Sequence, residues 1–170
     1  RRKEDRPAEI LTAALKTFSV KGFAATKLVE VAKEAGVSKG TLYLYFESKE
    51  VLFKEVVSEF VLPQIAKAEE HAEHYNGSIR ELMFNLVDQW RTTVLETELA
   101  GIPKMMIAEA SNFPDLAHFC LENVIQRTRH FVANLIELGI KRGEFRKCNS
   151  QYTAHAFLTP MVFSAIWQYS

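Results

Sequence analysis

The chain has 170 residues, 48% of them hydrophobic, so a sizeable core is available for one large or two small domains. Two cysteines rule out a disulfide framework, and no stretch reaches the roughly 20 apolar residues that a membrane span needs. Charge sums to zero, but residues 1–54 hold 11 Lys and Arg against 7 Asp and Glu, and residues 55–170 hold 10 against 14. A basic head on an acidic body suits a nucleic-acid partner at the N-terminal end.

In chain order, Arg1, Arg2, Lys3 and Arg6 form a charged arm. It either reaches along DNA or stays a solvated terminus. Pro7 suits a helix start, because the first turn has no use for the N–H that proline lacks. The first helix runs from Pro7 to Val20, with an apolar stripe of Ile10, Leu11, Ala14, Leu15 and Phe18, and Gly22 ends it. Phe23 is expected to tuck beneath. A second helix spans Lys27 to Ala35, with Leu28, Val31, Ala32 and Ala35 on one face. Gly36 stops it, since glycine takes a left-handed conformation without a Cβ penalty. Ser38 is a good N-cap for a third helix carrying Lys39 to Phe46. Helix, short glycine turn and helix form a helix-turn-helix, whose second helix lies in the DNA major groove.

Side-chain types on that third helix fit this use. Lys39, Gly40 and Thr41 occupy the turn that meets base edges. Gly40 is a poor helix former, which makes sense where backbone must come close to DNA. Tyr43, Tyr45 and Lys49 offer hydroxyls and a cation to phosphate oxygens. Thr26, Lys27 and Ser38, at the two helix starts, complete the DNA-binding set. A packing hairpin with core tyrosines is the plain alternative.

The run AGVSKGTLYLYFESKEVLF, preceded by AALKTFSVKGFAATK, resembles the DNA-binding signature of TetR/AcrR-type transcriptional regulators from Ile10 through Phe53. The resemblance implies an all-α homodimer that binds a palindromic operator and releases it on binding a small molecule. It also implies that the fourth helix links the head to the body. Lys27 departs from the Thr or Ser often found there, leaving the cap of the second helix open and suggesting a phosphate contact instead.

Ser48 caps the fourth helix, which starts at Lys49 and continues through Leu52, Phe53, Val56, Val57 and Phe60, with a kink expected at Pro63. Asn76-Gly77-Ser78 is a turn and cap. Helices then follow from Ser78, with Ile79, Leu82, Met83, Leu86, Val87, Trp90 and Val94 on one face. The next ones are Ile102–Ala110, a long Leu116–Lys141 with Phe119, Cys120, Val124, Phe131, Leu135 and Leu138 inward, and a final Gln151–Tyr169 bent near Pro160. The chain ends in an apolar stretch, leaving room for a further helix.

The expected architecture is therefore all-α. Residues 1–48 form a three-helix helix-turn-helix DNA-binding domain, and residues 49–170 a helical ligand-binding and dimerisation domain. Methionines and aromatics suit an adaptable apolar pocket, with Trp90, Met105, Met106, Phe113 and Phe131 as lining candidates. Gln89, Glu109 and Asn134 are candidates for orienting a ligand. The body lacks a dense cationic cluster, so the effector is expected to be apolar. Phe157, Met161, Phe163 and Trp167 crowd the last helix with apolar groups that a second copy would cover. His71 and His74 have no third metal ligand nearby, and no nucleophile–base set or phosphate loop appears, so neither catalysis, cofactor nor metal is expected. The charged N-terminus does not read as a signal peptide, and reduced thiols suit a cytoplasmic protein. The expected function is a ligand-responsive repressor; the alternative is a helical small-molecule-binding protein without DNA regulation.

Overall fold

The computed structural model describes residues 6–168, and among these every regular element is helical. Arg1, Arg2 and Lys3 of the arm, and Tyr169, the expected end of the last helix, lie outside the described residues. Arg6 pairs with Glu9 at 3.1 Å.

Helix α1 (Arg6–Lys21) buries the stripe expected of it, from Ile10 to Phe18. It ends at Gly22, whose φ is +80°. Helix α2 (Leu28–Glu34) turns at Gly36, φ +67°, into α3 (Lys39–Tyr45). The Ser38 hydroxyl accepts from the Thr41 N–H at 3.0 Å, and the Ser48 hydroxyl caps α4 (Lys49–Val56) by accepting from Val51 N–H at 3.1 Å. At α2 the cap is supplied from within the first turn. The Glu30 carboxylate accepts the Lys27 N–H at 3.2 Å, which satisfies one of the orphan donors of a helix start.

The disturbance expected at Pro63 falls just before it. Over Val57–Val61 the ladder widens to a π-turn, and the Leu62 N–H reaches the Val57 carbonyl. Pro63 then sits in the first turn of α5 (Leu62–Glu73). Helix α6 (Ile79–Trp90) continues through a second π-turn, Arg91–Leu95, and a 3₁₀ turn, Glu98–Ala100, into α7 (Gly101–Glu109). The long helix expected over Leu116–Lys141 is present, starting at Pro114 and running without a break through α8 (Pro114–Cys120), a π segment at Leu121–Gln126, and α9 (Arg127–Lys141). Leu138, expected inward, is exposed. Helix α10 (Ser150–Gln168) runs through Pro160, which lies on an exposed face.

Packing ties head and body together. One apolar cluster joins Ile10, Phe18, Phe23, Leu42 and Phe53 of the first four helices and their loops to Leu99, Ile102, Met105, Leu116 and Cys120 of the body. Two smaller clusters sit between α9 and α10, around Val132, Ile136 and Ala154, and between α6 and α9, around Ile79, Leu82 and Leu135. The turn after α9 also supports α6. The Glu144 carboxylate accepts the Ile79 N–H at 2.7 Å and the Arg80 N–H at 3.3 Å. Gly139 lets the Phe145 ring lie against α9, since a Cβ there would stand 2.3 Å from the ring.

Candidate nucleic-acid interface

Helix α3 has two faces. Leu42 and Phe46, at its C-terminal end, are buried in the common core, while Lys39, Gly40, Tyr43 and Leu44 point to solvent. Successive residues turn by about 100°, so positions 39, 40, 43 and 44 share one side and 42 lies on the other, while Phe46, just past the helix in extended backbone, is buried with Leu42. The inner side fixes the helix in rotation, and the outer side is free to meet a ligand.

On that outer side Lys39 Nζ lies 5.6 Å from the Tyr43 ring centroid, within cation–π range. The Ser38 and Thr41 hydroxyl oxygens are 2.9 Å apart, so Ser38 and Thr41 brace the first turn. A Cβ on Gly40 would meet only Ser38 Oγ, at 3.8 Å. The protein itself has room for a side chain there, so packing within the chain does not require the glycine. Lys27 is exposed at the start of α2. Tyr45 is half-buried, packed against the core beside Phe46.

Two of the expected DNA-binding residues turn inward. Thr26 is 2% exposed and donates its hydroxyl to the Gly22 carbonyl at 2.7 Å, closing the loop between α1 and α2. Lys49 donates Nζ to the carbonyls of Phe23, Ala24 and Thr26 at 2.7, 3.1 and 3.1 Å. An ammonium has three N–H donors, and all three are engaged. Lys49 therefore positions the head, and its charge is directed at loop carbonyls rather than outward. Sequence alone gave no sign of this, because the partners lie 23 to 26 residues away.

The five pocket candidates are not brought together. Met105 is in the core shared with the head, and Met106 and Phe113 pack against that core. Phe131 packs instead against the α6–α9 and α9–α10 clusters, and Trp90 is half-buried at the end of α6. Phe113 meets Phe23 edge-on, ring centroids 4.7 Å apart. Glu109 accepts the Ala24 N–H at 3.2 Å. The body thus grips the same loop that Lys49 grips. Of the four α10 residues expected at a two-fold interface, Phe163 and Trp167 are exposed, with centroids 6.0 Å apart. Met161 is half-buried, and Phe157 packs onto the α9–α10 core.

Leu44 is missing from the residues the sequence singled out, although the signal was there: it stands about 200° round the helix from Leu42.

A helix-turn-helix head with an outward-facing third helix, carried on an all-helical body, defines a class of transcriptional regulators. A family profile described as bacterial regulatory proteins, tetR family, matches residues 10–56, and one described as the AefR-like transcriptional repressor C-terminal domain matches residues 81–168. The HTH-type transcriptional regulator YfiR of Bacillus subtilis (strain 168) is 30% identical over 161 residues, spanning 94% of this chain and 77% of that protein. YhgD of the same organism is 29% identical over 161 residues, spanning 91% and 79%. The fold is that of FadR from Bacillus subtilis, solved in complex with stearoyl-CoA, with a TM-score of 0.80 at 19% identity over 94% of this chain and 85% of that one. The chain belongs to the TetR family of transcriptional regulators. No helix among the described residues is long and apolar enough to cross a membrane.

Proposed function

We propose that the protein is a homodimeric repressor that holds a palindromic operator through α3 and releases it when a small apolar effector enters the body. The observation that carries this is the outer face of α3, where Lys39, Gly40 and Tyr43 stand free while Leu42 and Phe46 lock the helix from behind. Lys39 and Thr41 read base edges, Ser38 braces Thr41, and Lys27, Tyr43 and Tyr45 contact phosphates. Residues 1–48 are the head and 49–170 the body.

Dimer formation is supported by exposed apolar residues on the 121–126 segment, α9 and α10: Leu121, Ile125, Leu138, Val162, Phe163 and Trp167. Met161 and Phe157, half-buried on the same helix as Phe163 and Trp167, join that surface in the proposed dimer. A two-fold pair of heads would present its recognition helices about 34–36 Å apart, one turn of duplex. An apolar effector is supported by Met105, Met106 and Phe113 packing in and against the core that also holds α1 and α4; of the stearoyl-CoA bound to FadR, only the acyl chain is of that kind. Trp90 and Phe131 lie outside that core. A ligand wedged among Met105, Met106 and Phe113 would bind the DNA-competent and released states unequally, which any such switch requires.

The test is a gel shift with the DNA upstream of the protein's own gene, with acyl-CoAs of graded chain length added. The expected result is a complex of two copies per site, dissociated by the long chains. Absence of any shift, with acyl-CoA still bound, would favour a helical small-molecule-binding protein without DNA regulation.

A further inference from the structure

Leu44 is 83% exposed, the most exposed of the large hydrophobic side chains among the described residues. It is on the outer face of α3, between Lys39 and Tyr43 on one side and the half-buried Tyr45 on the other. Leu42 is buried on the opposite side, so rotating the helix to hide Leu44 would expose it.

A helical side chain leans over the turn that precedes it. For Leu44 that turn holds Gly40, which has no side chain and open space where one would be. The 40–44 line is thus a bare stretch of backbone ending in one protruding isobutyl group, flanked by a cation. A protein-docking face would need a contiguous apolar patch, not a single leucine beside Lys39 on a basic head. In the major groove one feature of the base edges is apolar: the C5-methyl of thymine.

We propose that Leu44 is a specificity-determining residue that packs on a thymine C5-methyl in each half-site. The assignment rests on the DNA-binding role of α3 given above. Lys39 and Thr41 supply the polar part of the readout, and Leu44 adds a contact with no hydrogen bond. Gly40 allows the backbone close enough for a short side chain to reach.

The test starts from duplexes that the wild-type chain selects from a random library. Each thymine is replaced in turn by deoxyuridine, which removes only the methyl, and binding is measured for wild type and Leu44→Ala. The expected result is one thymine per half-site whose replacement weakens wild-type binding roughly fourfold, the worth of one buried methyl group. Leu44→Ala should bind the thymine and deoxyuridine forms alike. The side chain is exposed, so the variant is expected to fold as the wild type does. The proposal is overturned if no replacement weakens wild type, if Leu44→Ala keeps the same loss, or if the selected half-site holds no thymine. Selection of no sequence at all would overturn the DNA-binding role and this assignment with it, whereas a selected sequence indifferent to the methyl overturns this assignment alone.

Discussion

The Lys49 ammonium lies 2.7 Å from the carbonyl oxygen of Phe23 and 4.6 Å from the centre of its ring. Together with the carbonyls of Ala24 and Thr26, this contact clamps the loop after α1 onto the start of α4. The α2–α3 pair lies in the chain between loop and clamp.

Removing the clamp should loosen the head without removing a phosphate contact. Lys49→Met is expected to lower stability by about 2 kcal/mol, since the loop carbonyls lose a charged donor. Urea unfolding measures this. DNA affinity should fall with the slope against salt unchanged. Lys27→Ala, by contrast, should leave stability alone and flatten that slope by about 1, as one fewer counterion is released. A flatter slope for Lys49→Met would return Lys49 to the phosphate-binding set.

Phe23 is held from both sides, by Lys49 and by the Phe113 ring 4.7 Å away. Residues that share a partner couple energetically. A double-mutant cycle with Lys49→Met and Phe113→Ala should therefore depart from additivity by about 0.5–1 kcal/mol. Additive losses would mean that head and body meet at Phe23 without supporting one another.

Gly101, the first residue of α7, lies against Ser19 of α1. A Cβ at 101 would stand 2.8 Å from the Ser19 Cβ and 2.9 Å from its Cα, and backbone cannot give way as a flexible side-chain end can. Gly101→Ala is expected to cost about 1–3 kcal/mol by forcing the two helices apart. Ser19→Gly in the same chain should restore only part of the loss, because the α1 backbone at position 19 still stands in the way.

The two thiols should behave differently. Cys148 is exposed, whereas burial pushes the Cys120 thiol up to about 11 from an ordinary value near 9.0. A thiol reagent at pH 8 is expected to modify Cys148 quickly and Cys120 only as the protein opens. The folded-state pKa lies above the unfolded one, so the neutral thiol's contribution is whole below about pH 9 and is lost as pH climbs towards 11. Wild type should therefore lose more stability over that interval than Cys120→Ala, measured by unfolding at each pH. Parallel pH profiles would contradict this.

Local signals were legible in the sequence. Ser38, Ser48 and Ser78 cap the helices they precede, because a cap involves residues only three positions away. Gly22 and Gly36 mark helix ends through their own backbone preference. That Leu42 lies opposite positions 39, 40, 43 and 44 of α3 follows from helical period. What depends on distant partners was not legible. The Lys49 clamp, the edge-on pair of Phe23 and Phe113, and the separation of Phe131 from Met105 are all set by how helices stack. The π-turns at 57–61, 91–95 and 121–126 leave no residue signature, because any residue type can shift its bond from i+4 to i+5.

The proposed operator binding depends on α3 presenting its 39–44 side to DNA. Selection from random duplexes with the whole chain, run in parallel for wild type, Lys39→Ala and Thr41→Ala, tests this most directly. Wild type should enrich a two-fold symmetric sequence, and each variant should alter the preferred bases at a defined position of the half-site. Identical enriched sequences from all three, or none from wild type, would contradict it.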